Sequence, residues 1–171
     1  MTDSKDTIKR LTDAYDNMLE RVKSALETAG VDVAPTIHKA FENAEEKASE
    51  LGELSREEAS KVATYLQRDI HDAAEYLADQ GEELSSWARF DLQLVEQRIL
   101  DSFATVADKT TLALDELRQR AQAAGWHTGE ITSMGTLVCQ QCGKALHFHK
   151  TSHIPPCPAC HHTEFKRVED D

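Results

Sequence analysis

The chain has 171 residues and a formal net charge of −12; only 6% of the residues are aromatic and 29% are charged. That length suits one ordinary domain or two small ones, and with no apolar run longer than three residues the sequence excludes a membrane-spanning helix. The acidic excess falls entirely before residue 131. A surface of that sign repels phosphate backbones, and it keeps a long helical surface soluble.

The N-terminus, Met1-Thr2-Asp3-Ser4-Lys5-Asp6, carries no export signal, and all four cysteines fall in two close pairs. That usage favours thiolates in a reducing compartment over disulfides, so the expected location is cytoplasmic.

Residues 4–29 place Ile8, Leu11, Tyr15, Met18, Val22 and Ala25 at alternating spacings of three and four, the stripe of an amphipathic helix. Leu19 and Leu26 widen the stripe, and Gly30 followed by Pro35 stops it. A second run holds Ile37, Phe41, Ala44, Ala48 and Leu51 and ends at Gly52. Ser55 and Glu58 then form a capping box that opens a third helix through Ala59, Val62, Leu66, Ile70, Ala73 and Leu77. From Leu84 to Ala124 neither Gly nor Pro interrupts a broad stripe from Trp87 to Leu117, which as one helix would run roughly 60 Å. A helix of that length must pack on the earlier helices or on a second copy of the chain.

The helices carry no enzymatic signature. His38 and His71 lack the Glu three residues earlier that a di-iron helix needs, and they read as surface residues. There is no His-Glu-x-x-His, phosphate loop, dinucleotide fingerprint or nucleophile elbow. The chain is therefore expected not to be an enzyme.

Beyond residue 130 the pattern shifts to short strands and turns. Thr136-Leu137-Val138 leads into Cys139-x2-Cys142, and after fourteen intervening residues Cys157-x2-Cys160 follows. Two such pairs suit one tetrahedral metal, with structural Zn²⁺ favoured over iron. Gly143 supplies a residue tolerant of positive φ after the first pair. Ala145–His149 alternates, and Glu164–Val168 reads as a closing strand. The histidines at 147, 149, 153, 161 and 162 crowd the cysteines and read as exposed polar residues. Such a module buries too little apolar area to fold unaided. Four thiolates on zinc supply on the order of 10–16 kcal/mol of coupled binding and folding.

The stretch Trp126-His127-Thr128-Gly129-Glu130-Ile131, then Gly135-Thr136-Leu137-Val138-Cys139, the cysteine pairs and Phe165 resemble the YbeL-like zinc-ribbon proteins, small bacterial proteins with a charged helical N-terminal part. The resemblance implies that Cys139, Cys142, Cys157 and Cys160 ligate zinc, and it implies no reaction. Cys-x-x-Cys-Gly with Cys-Pro-x-Cys is also similar to the rubredoxin-like module of rubrerythrins, which implies iron and electron transfer. Lys144 departs from that pattern where an aromatic is usual, and the di-iron motifs are missing.

Taken together, the sequence predicts a mainly α protein: an elongated helical hairpin or bundle, coiled-coil-like, followed by a small C-terminal zinc ribbon of short β-strands. The expected divisions are an acidic helical arm at 1–125, a joint at 126–135, the ribbon at 136–168 and an acidic tail at 169–171. The expected function is that of a non-catalytic, zinc-binding interaction or adaptor protein. It docks an unidentified protein partner, does not bind membranes, and self-associates through the arm. The alternatives are nucleic-acid or ribosome contact through Lys144, Lys150, Lys166 and Arg167, and a rubredoxin-like iron electron carrier.

Overall fold

The computed structural model describes residues 2–28, 34–80 and 125–167. The predicted stripe at 84–124 and the acidic tail lie outside them. Three helices come first, α1 (Thr2–Thr28), α2 (Ala34–Glu50) and α3 (Arg56–Gln80). The side chains predicted for the α1 stripe turn inward: Tyr15, Met18, Val22 and Leu26 are fully buried, with Ala14 and Leu19 beside them. On α2, Ala40, Ala44 and Ala48 set small side chains at one-turn intervals on the buried face, and Phe41 fills the space between helices. Ala59, Val62, Ala63, Leu66 and Ile70 complete the core from α3.

Local chemistry fixes the helix ends. At the C-terminus of α2 the N–H of Glu53 donates to Ala48 O at 3.0 Å and that of Gly52 to Ser49 O at 3.1 Å, with Gly52 at φ 70°. This is a Schellman close, which glycine reaches without steric cost. Leu51, predicted as the end of the α2 stripe, is pulled out of it and is 62% exposed. The capping box forms as expected, Ser55 N donating to Glu58 Oε2 at 2.9 Å and Glu58 N to Ser55 Oγ at 3.3 Å. Arg10 of α1 adds a bidentate pair to Glu58, and Arg21 makes another to Glu53.

Six strands follow: β1 (Trp126–His127), β2 (Ile131–Thr132), β3 (Gly135–Cys139), β4 (Ala145–Phe148), β5 (Ser152–His153) and β6 (Glu164–Arg167). One antiparallel sheet has the order β1-β6-β3-β4, and β2 pairs with β5 in a second. Cys139 sits opposite Phe165, and Phe165 opposite Trp126, so the register of the sheet is centred beside the first cysteine. Leu137, Ile154 and Phe165 form a small second core with Cys139 and Cys157.

The elongated, coiled-coil-like hairpin or bundle followed by a ribbon is not the observed architecture. Each of the three helices packs against both others, and antiparallel sheets join the same body. Ile131 of β2 is 1% exposed within the helical core, β2 lies against α1 and α3, and β5 lies against α1. The class is α plus antiparallel β. A stripe of three-four spacing establishes that a helix face is buried but not what buries it. Here two further helices and the strands β2 and β5 pack against α1. His71, read as a surface residue, is likewise buried at 8% exposure, whereas His38 is exposed beside Glu42.

Candidate metal centre

Two knuckles bring the four cysteines together, the first at the β3–β4 turn and the second between β5 and β6. In the first, Cys139 N–H donates to Lys144 O at 3.0 Å and Gly143 N–H to Cys139 O at 2.9 Å. In the second, Cys157 N–H donates to His162 O at 3.0 Å and His161 N–H to Cys157 O at 2.9 Å. The same hydrogen-bond ring thus forms twice, and each ring curls its pair of sulfurs toward the other pair.

All four sulfurs lie within 4.8 Å of one another, with Cys139 Sγ 3.5 Å from Cys160 Sγ and Cys142 Sγ 3.6 Å from Cys157 Sγ. Disulfide bonding would need a separation of about 2.05 Å, which these pairs do not approach. A tetrahedral ion with metal–sulfur bonds of about 2.3 Å sets sulfurs about 3.8 Å apart, so the donor set fits such an ion. These residues form a zinc-ribbon-type metal site.

The backbone prepares the sulfurs for a cation. Burial alone would raise the Cys157 thiol, but N–H groups of Cys160 and Ala159 point at its sulfur and hold it at about 6. For Cys160 the His162 N–H acts in the same direction, yet burial and the neighbouring sulfurs outweigh it and push the thiol to about 12. Four sulfurs so close cannot share negative charge without a counter-ion. A bound cation reverses that repulsion and takes all four as thiolates.

A buried polar cluster fastens this module to the helices. Asp69 of α3, its side chain fully buried, accepts from Tyr15 Oη at 2.8 Å, Ser133 N at 2.7 Å, Trp126 Nε1 at 3.0 Å and Thr132 Oγ1 at 3.2 Å. Tyr15, Ser133 and Thr132 meet Oδ2, and the guanidiniums of Arg68 and Arg167 lie 3.3 and 3.5 Å from Oδ1, the oxygen that Trp126 also meets. Burial would raise the Asp69 carboxyl; the two arginines outweigh it and hold the group below the usual carboxylate range. Trp126 is flanked by both guanidiniums, 4.7 Å from Arg68 and 5.1 Å from Arg167. Arg68 also donates to Ile131 O and Gly125 O and pairs with Glu130.

The sequence reading missed this cluster. The available signal was Asp69 itself, seven residues after Val62 and therefore on the buried face of α3, where an acid needs partners. Of the residues nominated for nucleic-acid contact, Lys144, Lys150 and Lys166 are exposed on the ribbon. Arg167 points the other way: its side chain is 6% exposed, paired with Asp69 and Asp72, and it donates to Met134 O at 2.8 Å. The five histidines of the module lie outside the sulfur cluster. Thr136 Oγ1 meets His147 Nδ1 at 3.0 Å, and His162 lies 3.8 Å from Glu164. Among the described residues no helix is long and apolar enough to cross a membrane.

A knuckle pair of this geometry on a four-stranded antiparallel sheet defines a zinc-ribbon protein, and the chain belongs to the family described as a zinc-ribbon containing domain, which it matches over residues 5–169. Among its relatives is the Uncharacterized protein YbeL of Escherichia coli strain K12, 31% identical over 132 residues, covering 74% of this chain and 78% of that protein. The YbeL proteins of Escherichia coli O6:H1 and O157:H7 match to the same extent. No solved structure matches significantly.

Proposed function

We propose that the four cysteines hold one structural Zn²⁺ and that the protein is a non-catalytic, cytoplasmic interaction or adaptor protein that uses the ribbon as a recognition element for a protein partner. The observation that carries this reading is the closed donor set. Four sulfurs within 4.8 Å of one another are enough to fill the four positions of a tetrahedral ion, which would leave none for a reactant. The fastening of the ribbon to α1 and α3 supports a recognition role, since a rigid surface loses less entropy on docking than a swinging one. Nucleic-acid contact is the weaker reading, because the burial of Arg167 leaves three lysines for it on an acidic chain.

Two measurements test the proposal. Metal analysis of natively purified chain should give one zinc per chain and a colourless protein; a red, iron-loaded protein would instead mark an electron carrier. Affinity capture from lysate, comparing the intact chain with Cys157→Ser, should recover a protein partner that resists nuclease and is lost with the variant. Recovery that vanishes with nuclease would replace the reading with nucleic-acid contact.

A further inference from the structure

One short strand, β6, runs from the metal centre to the buried Asp69 cluster of the helical core. β6 begins four residues after Cys160, pairs with Cys139 through Phe165, and ends at Arg167. Its first two residues are held against the first knuckle, Gln140 N donating to Glu164 O at 3.1 Å and Gln140 Nε2 to Phe165 O at 3.2 Å. At the other end of the strand Arg167 reaches Asp69, Thr132 Oγ1 at 2.8 Å and Met134 O. Trp126 pairs with Phe165 on the outer side of the same strand and donates its indole N–H to Asp69. Asp69 in turn holds Tyr15, so it binds α1 to α3 as well as the ribbon to both.

Among the described residues the apolar core of the ribbon apart from its cysteines is small: Leu137, Ile154 and Phe165 are fully buried, with Trp126, Leu146 and Phe148 partly buried against them. When the ribbon comes apart, Asp69 loses Trp126, Thr132, Ser133 and Arg167 together and keeps Tyr15 and Arg68. A buried carboxylate stripped of most of its donors is costly to retain in place. The helical core would relieve that cost by loosening where α1 meets α3, which also exposes the seat of Ile131.

We propose that Asp69 couples metal loading of the ribbon to the packing of α1 on α3, so that the helical core reports whether the thiolate site is filled. This inference rests on the site holding a metal as proposed above. The coupling is reciprocal: a change at Asp69 weakens metal binding at cysteines that Asp69 does not touch, and metal loss weakens helices that carry no ligand.

The test uses the full chain, loaded with one equivalent of zinc or stripped with a chelator. Stripping should lower the thermal midpoint of the helical circular-dichroism signal, and Asp69→Asn should lower zinc affinity, read by competition with a chromophoric chelator, roughly tenfold. In Asp69→Asn, stripping should shift the helical midpoint much less than in the parent chain. Arg167→Gln, which leaves Asp69 with its other donors, is the milder variant and should show the same loss of affinity in smaller measure. Helices that melt at the same temperature loaded and stripped, or folded variants that bind zinc as tightly as the parent, would overturn the coupling while leaving the metal site intact. A parent chain that takes up no zinc would overturn the metal reading itself, and with it the coupling.

Discussion

Gly143 and His161 hold equivalent positions in two copies of one knuckle. Each follows the second cysteine of its pair, at φ 71° and 60°, and each donates its N–H to the first cysteine's carbonyl at 2.9 Å. Both occupy the left-handed region, which is open to glycine and costs another residue about 1 kcal/mol or more. The two positions should therefore respond oppositely. Gly143→Ala should destabilise the zinc-loaded chain by about 1 kcal/mol, and His161→Gly should stabilise it by a similar or smaller amount. Thermal unfolding in metal-buffered solution checks both; shifts of the same sign would refute the equivalence.

Gly135 is constrained differently. Its φ is 132°, and a Cβ built there would strike the guanidinium Nη1 of Arg167. Gly135→Ala should cost about 2 kcal/mol, combining backbone strain with displacement of a buried charge from Asp69. Adding Arg167→Gln should recover part of that loss at most, because the φ strain remains. Denaturant midpoints of the single and double variants separate the two contributions.

Tyr15 predicts the alkaline limb of stability. Burial, and then the neighbouring Asp69 carboxylate, raise its phenol well above the ordinary value of 10.0. A group whose folded value is raised contributes stability that is complete below the unfolded value and lost as pH climbs toward the folded one. Tyr15→Phe should therefore cost about 2 kcal/mol near neutrality, through the hydrogen bond removed from Asp69, and its disadvantage should shrink above pH 10. A pH series of urea midpoints for the two proteins gives the answer, and parallel curves across that range would count against the assignment.

Glu58 governs the acid limb in the same way with the opposite sign. Arg10, and then the Ser55 N–H, lower its carboxyl from 4.5 to about 2. Its contribution is complete above pH 4.5 and disappears as pH falls through about 2. The side chain is 32% exposed, so solvent limits the effect: Glu58→Gln should cost about 1 kcal/mol at pH 7 and nothing below pH 2. Stability measured at those two pH values is sufficient.

Much of this molecule was legible because its signals are local. The Cys-x-x-Cys spacing is set by the geometry of one knuckle, and Ser55 and Glu58 cap a helix start three residues apart. Gly52 closes α2 through bonds to its own last turn. The strands around Leu137, Leu146 and Phe165 form where the sequence places short strands, the one around Leu146 by its alternation. β1, β2 and β5, each two residues long, are too short to show a period. His161 gave no warning of its positive φ, because that conformation is imposed by the ring its N–H closes rather than favoured by its side chain.

By itself the sequence determined three amphipathic helices, the α2 end at Gly52 and the α3 start at Ser55, and four cysteines placed to take one ion between two knuckles. Only the tertiary structure decided what covers each stripe, that Ile131 enters the helical core, and that Arg167 turns inward to Asp69 rather than outward to solvent. Periodicity and capping depend on residues within a turn or two, and those can be read along the chain. Asp69 is satisfied by Tyr15 on one side in sequence and by Trp126, Thr132, Ser133 and Arg167 far along on the other. A buried charge states that it needs partners, but which groups meet it is settled when the chain closes around it.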